Sequence, residues 1–267
     1  MKKLERYSKK WWFFALLLLA QFIFPPIVSR NFDSQDISRM VYVTLGNAPQ
    51  CHLGNLNIVF QSLSLLILIL LFVFKNKMRT AFNAYVAVSY LTVAFIQNMA
   101  VTEQYGFSIV TVNLVMFLFV AYVWIRETLR PENNYVFSGF KWKYAWMIVL
   151  AIFAYWFPFT PQGKLDFNPL HFFANNTATA YCMMTPAFLT ILTLNLPNVN
   201  IVTYRITAII GFIIGIYNMF NFFNPYTVWL GVAHIPLFLI SLYCAILSYR
   251  FAAPMNGENI PIYRPEN

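Results

Sequence analysis

The sequence predicts an all-α polytopic integral membrane protein of about eight transmembrane helices, arranged as two parallel four-helix repeats with both termini cytoplasmic. Three observations lead there: the charge content, the placement of the charges, and a correspondence between the two halves. The 267 residues are 60% hydrophobic and 10% charged. Soluble domains carry about 25% charged residues, so this composition belongs in a bilayer. A spanning helix needs roughly 20 mostly apolar residues. The stretches that qualify are 11–29, 56–74, 80–101, 106–125, 144–160, 177–195, 206–223 and 226–248. The fifth is short, and a tight Asn224-Pro225 turn separates the last two. Each must be helical, because lipid offers no partner to a free backbone N–H or C=O. His234 is the one ionisable side chain inside these stretches, cysteine and tyrosine aside.

Orientation follows from the basic residues, which favour cytoplasmic loops. One side holds Lys2, Lys3, Arg6, Lys9 and Lys10, then Lys75, Lys77 and Arg79, then Arg126, Arg130, Lys141 and Lys143. Arg205, Arg250 and Arg264 join them, which leaves only Arg30, Arg39 and Lys164 of the 18 on the other side. An even number of spans with both ends inside fits this split. The net charge of +9 has the same origin. It implies anionic lipids on the cytoplasmic face as partners rather than nucleic acid, because no basic run exceeds the short amino tail. The first apolar run follows a basic segment but is too long for a signal peptide, and no small-x-small site follows Pro25-Pro26. It is expected to remain as a helix. A prokaryotic plasma membrane suits the basic loops and the three scattered cysteines, Cys51, Cys182 and Cys244, which give no disulfide framework.

The halves correspond residue by residue. The first span starts after Lys10 and ends Phe24-Pro25; the fifth starts after Lys143 and ends Phe157-Pro158, 133 residues on. Asn98-Met99 in the third span matches Asn218-Met219 in the seventh at an offset of 120. The run from Asn113 to Tyr122 matches that from His234 to Tyr243 at 121. Four spans per unit make a parallel repeat. The organisation expected is one membrane domain over 1–267: a first unit at 11–126, a linker at 127–143, a second unit at 144–249 and a cytoplasmic tail at 250–267. The irregular features fall in the second unit: Pro186, Pro236 and a Gly211-x-x-x-Gly215 pair that permits close helix approach.

Polar side chains gather in the outer half. Gln61, Asn98, Asn113, Asn176, Tyr217, Asn218 and His234 are the candidate substrate-binding residues, lining a polar pocket open to the outside between the two units. Polar groups in lipid are costly and turn to the bundle interior. The bland alternative is that the amides tie helices together, at about 1 kcal/mol or less each. His234 carries the most chemistry, because imidazole titrates near neutrality. No catalytic residue is assigned and no cofactor is expected. A metal or haem would have to draw on His234, His171 and His52, beside Cys51, yet no His pair has i, i+3 or i, i+4 spacing and no C-x-x-C exists. The acids of the outer side, Asp33, Asp36, Glu103 and Asp166, all fall in loops. Three functions remain open: a transporter or binding protein for a small neutral or amphipathic solute; an accessory subunit of a larger membrane complex or homo-oligomer; or an enzyme using His234 on a lipid or quinone-like substrate.

Overall fold

Continuous apolar sequence becomes helix here, and the helices stop where proline, glycine or a cluster of amides begins. The computed structural model describes residues 2–137, 139, 141–160 and 162–251. The protein is 71% helical. Its helices are α1 (Lys2–Ser8), α2 (Trp11–Ile23), α3 (Ile37–Gly46), α4 (Leu56–Phe74), α5 (Arg79–Ile96), α6 (Thr111–Leu129) and α7 (Ala145–Trp156). Then come α8 (His171–Ala174), α9 (Tyr181–Leu194), α10 (Ile201–Met219) and α11 (Val228–Arg250). Each of the eight apolar stretches contains one of these helices. Four helical stretches are long and apolar enough to cross a membrane: Leu56–Ile96, Thr111–Leu129, Ile201–Phe223 and Val228–Arg250. His171–Thr179 with Tyr181–Leu194, bent by 95°, adds a fifth if counted as one span.

The 41-residue stretch is not a single rod. Lys75 takes φ 51° and ψ −128° at the end of α4. Gln61 of α4 and Gln97 at the end of α5 then reach the same segment, accepting bonds from the backbone N–H groups of Ala178 and Tyr181. At about 1.5 Å per residue a straight helix would hold them roughly 54 Å apart, so the chain folds back.

Helix α9 is the centre of the bundle. All but Ala187 of its 14 residues are buried. Helix α4 lies at the edge and buries only Gln61, Ser64 and Leu71, while its leucines, valines and isoleucines are largely exposed. Burying the polar residues and exposing the apolar ones is what a lipid-facing helix does. Helices α10 and α11 approach closely at glycine: a Cβ on Gly215 would lie 2.9 Å from the Phe238 Cα. Two helices end alike. Phe24 and Phe157 each close a helix just before a proline, where the α region is disfavoured, and Phe157 takes φ 49°.

Three features depart from the sequence-based expectation. The chain is not purely helical: β1 (Ile27–Val28), β2 (Met99–Thr102) and β3 (Gly106–Ile109) form an antiparallel sheet in the order β1-β3-β2. Residues 99–109, expected to lie partly within spans three and four, make a hairpin with Thr102 opposite Gly106. The β-branched residues there favour strands, and Gly106 at φ 63° leaves no room for a Cβ beside the Ser29 hydroxyl. The first long loop holds α3, whose Thr44 hydroxyl bonds that of Ser108. Arg205, expected in a loop, lies inside α10 and is fully buried. The predicted tail from residue 252 onward, including Arg264, falls outside the described residues.

One end of the bundle carries Lys10, Lys75, Lys77, Arg79, Arg126, Arg130, Lys141 and Lys143, and is called the basic end. The other carries the sheet and the 157–180 segment, and is called the sheet end.

Candidate functional site

The seven residues singled out in the sequence lie toward the sheet end, and most are engaged in holding helices. Gln61 is fully buried and ties α4 to the 177–178 turn. Its Nε2 donates to the Thr177 hydroxyl at 2.7 Å and its Oε1 accepts from the Ala178 N–H at 2.9 Å. The Tyr155 hydroxyl donates to the Gln61 carbonyl at 2.9 Å. Asn98 donates to the Ala94 carbonyl at 3.0 Å and Asn218 to the Ile214 carbonyl at 2.9 Å, each one turn back. His234 does the same: its Nδ1 lies 2.6 Å from the Leu230 carbonyl. A carbonyl only accepts, so Nδ1 carries the proton and Nε2 is the acceptor. Tyr217 donates to the Leu18 carbonyl of α2 at 2.9 Å. Asn176 precedes the 3-10 turn Thr177–Thr179 and receives the Thr179 hydroxyl on its backbone carbonyl. Asn113 sits half-buried in the first turn of α6 rather than two turns deep, because that helix starts at Thr111. Two buried oxygens near this layer, Asn98 Oδ1 and the Tyr181 hydroxyl, have no partner among the described residues.

The largest buried polar network lies at the basic end, where no candidate was placed. Glu127, at the end of α6, is fully buried. Its Oε1 accepts from the backbone N–H of Glu132 and Asn133 at 2.7 and 2.6 Å, and its Oε2 accepts from the Asn200 amide at 2.8 Å. Asn133 bonds the Tyr135 hydroxyl and receives the Asn200 N–H. Tyr135 donates to Asn83 at 2.7 Å, and Asn83 returns a bond to the Glu127 carbonyl. Four segments are locked: the starts of α5 and α10, the end of α6, and the loop after it. Glu127 lies two residues beyond the apolar stretch 106–125, so hydropathy places it in a loop rather than in the buried end of α6. The readable signal was a helix-terminal glutamate followed by Pro131 and Asn133-Asn134. Arg205 is the second buried charge. Nε donates to the Ser248 hydroxyl, Nη1 to the Ser8 hydroxyl and Nη2 to the Ser248 carbonyl at 2.8 Å. Spans other than the eighth therefore do contain ionisable groups.

Two lateral grooves complete the surface. The larger, a cavity of about 410 Å³, lies between α4, α7 and α9. It runs along Leu65 to Phe72, Ile148 to Tyr155 and Ala187 to Leu194, or roughly 10 Å of each helix. Its polar side-chain atoms belong to Tyr155 and Thr190, and both are occupied: Tyr155 by the Gln61 carbonyl and Thr190 by the Pro186 carbonyl at 2.7 Å. Phe172 closes its sheet end. The smaller, about 310 Å³, lies between α2, α10 and α11 and is equally apolar.

His171 precedes Phe172 and pairs with Asp166, Nε2 to Oδ2 at 3.0 Å. The hydrogen bond from His171, helped by the Asn168 N–H, holds the Asp166 carboxyl below its usual range. A depressed carboxyl contributes stability above its unfolded value, about pH 3.9, and loses it as pH falls through the folded value. Carbon-detected NMR of Asp166 is therefore expected to show a midpoint below about 3.9 that rises toward it in His171→Phe, the Asn168 N–H keeping part of the shift; an unmoved midpoint would refute the pairing. Cys51 is free, its thiol lies 3.5 Å from the Leu45 carbonyl, and partial burial pushes its pKa up, which disfavours the thiolate a nucleophile needs. Among the described residues no group of three His, Cys, Asp or Glu side chains is placed to hold a metal. No protein-family model, curated protein or solved structure matches the chain.

Proposed function

We propose that the protein is an eight-pass membrane protein of two tandem four-helix units, basic end cytoplasmic, that binds an amphipathic, lipid-like molecule in the groove between α4, α7 and α9. The observation that carries this reading is the groove itself: about 410 Å³ of apolar space whose two polar groups already have partners. Such a surface offers nothing to a polar solute and suits a hydrocarbon chain. The polar end of the ligand would lie by His171 and Asp166, on the segment that closes the groove. The polar layer remains a candidate pocket, in which the Asn98 Oδ1 and the His234 Nε2 are left over for a ligand, while the Asn98, Asn218 and Gln61 amide N–H groups and the His234 Nδ1 bond within the protein. Transport of the bound molecule, rather than binding alone, is the extension of the same proposal.

The tandem arrangement rests on the sequence correspondence, with which two local features agree. Asn98 and Asn218, matched at an offset of 120 in the sequence, make the same bond to the carbonyl one turn back. Phe24 and Phe157 end matched helices in front of proline. The short helices α2 and α7, of 13 and 12 residues, span roughly 18–20 Å, and a membrane thins or the helix ends extend to accommodate such mismatch.

Ala187→Trp, at the one position of α9 that is not buried, tests the groove. Mass spectrometry of lipids and other amphipathic molecules co-purifying in mild detergent is expected to show a species on the wild type that is absent or at least tenfold reduced on the variant. An unchanged complement on a folded variant would remove the groove as the site.

A further inference from the structure

The second groove ends differently from the first, and its ending points to a specific occupant. It is lined by Phe14 and Leu18 of α2, Ile213 and Ile216 of α10, and Ile246 and Tyr249 of α11, among others. At its basic end it stops at the Tyr249 ring. Phe14 meets that ring edge-on at 6.2 Å. The Arg205 guanidinium lies over it at 5.1 Å. The Tyr249 hydroxyl reaches the Ser8 carbonyl at 3.5 Å, which brings the α1–α2 junction to the same place.

The charge at this point is one-sided. Arg205 is fully buried, bonds only to the neutral groups of Ser8 and Ser248, and forms no ion pair among the described residues. A buried cation without a counter-ion is costly. Lys10, just before α2, and Arg250, at the last position of α11 beside Tyr249, are exposed at this end of the bundle. The carboxylate on α1, Glu5, pairs with Lys9 at 3.0 Å and offsets part of the Arg205 charge through space, without a direct ion pair to it. Trp11 and Trp12 stand exposed beside Lys10, 78% and 40% accessible, at the depth where aromatic rings meet lipid headgroups. An apolar slot, aromatic residues near its mouth and a cluster in which Arg205, Lys10 and Arg250 outnumber the one carboxylate, Glu5, form the complement of a molecule with a hydrocarbon tail and a negative head.

We propose that this groove is a binding site for one anionic phospholipid, with an acyl chain between α2, α10 and α11 and its phosphate headgroup against Lys10 and Arg250, in the field of Arg205. The site is separate from the groove of the proposed function, which lies between α4, α7 and α9, and either stands if the other fails. Residues from both ends of the chain build it, so an occupied site fastens the first helix to the last two.

Native mass spectrometry of the full chain, released from bilayers containing equal phosphatidylglycerol and phosphatidylcholine of the same acyl chains, tests this. One phosphatidylglycerol is expected to remain bound in preference to phosphatidylcholine. Removing exposed cations lowers the preference by about fivefold each, so Lys10→Ala with Arg250→Ala is expected to abolish most of it. Ala15→Trp, which fills the groove and leaves the charges, is expected to lose the bound lipid of either kind while Ala187→Trp keeps it. Equal retention of the two lipids by the wild type, or an undiminished preference in the double variant, would overturn the proposal. The double variant changes only exposed side chains, so the test holds even if Ala15→Trp fails to fold.

Discussion

Replacing Glu127 by alanine is expected to destabilise the protein more than any other single change at its surface or core polar groups. The carboxylate receives three buried donors, from Glu132, Asn133 and Asn200. Each orphaned donor costs about 1–3 kcal/mol, so the expected loss is on the order of 3–5 kcal/mol after local relaxation. Glutamine does not rescue it fully. Its oxygen replaces Oε1, but its NH2 then faces the Asn200 amide, a donor. Asn200 is not free to turn, because its own Oδ1 accepts the Val202 and Thr203 N–H groups at the start of α10. Glu127→Gln is expected to fall between wild type and alanine. Thermal unfolding in detergent, with hydrogen exchange over residues 130–137, checks both. A Gln variant as stable as wild type would show that the Asn200 bond contributes nothing.

The second large effect is expected at Gly215. A Cβ there would lie 2.9 Å from the Phe238 Cα and 3.3 Å from its N. Backbone atoms do not rotate away, so α10 and α11 must separate. Gly215→Ala is expected to cost about 1–3 kcal/mol, as other overpacked cores do. Gly211→Ala is the internal control. Its nearest neighbour is the Ser241 hydroxyl at 2.5 Å, a side-chain atom that can turn. Alanine also gains about 1 kcal/mol of helix propensity over glycine. The 211 variant is therefore expected near wild type, and equal losses at both positions would refute the assignment of Phe238 as the limiting contact.

These two residues also show what the sequence discloses. The Gly-x-x-x-Gly spacing is local and readable, and the close approach it permits is present. Apolar length is equally local: the helix over 56–74 has the bounds the hydropathy gives it. Glu127 shows the opposite. Its burial depends on Asn133 and on Asn200, 73 residues away, folding over it, and no periodicity reports that. The 99–109 hairpin was hidden because Val101, Ile109 and Val110 are as apolar as a helix end while favouring strands. The amide layer was legible as a layer. Which amides bond to their own helix and which bridge to another, as Gln61 does, depends on rotamers and on the 177–180 turn, and the spacing does not encode these. The grooves lie between helices far apart in sequence, so they exist only once packing is known.

The course of the amino-terminal segment has a wider consequence. At the basic end Ser8 receives Arg205; midway Leu18 receives the Tyr217 hydroxyl; at the sheet end Ile27 pairs with Ile109. The opening segment, α1, α2 and β1, thus meets α10 at Ser8 and Leu18, α6 at Phe13 and β3 at Ile27. It works as a buckle between α10, α6 and the sheet. Any shift of α10 against α6 or the sheet must slip, stretch or carry this segment, so the relative freedom of those elements is set by the first thirty residues.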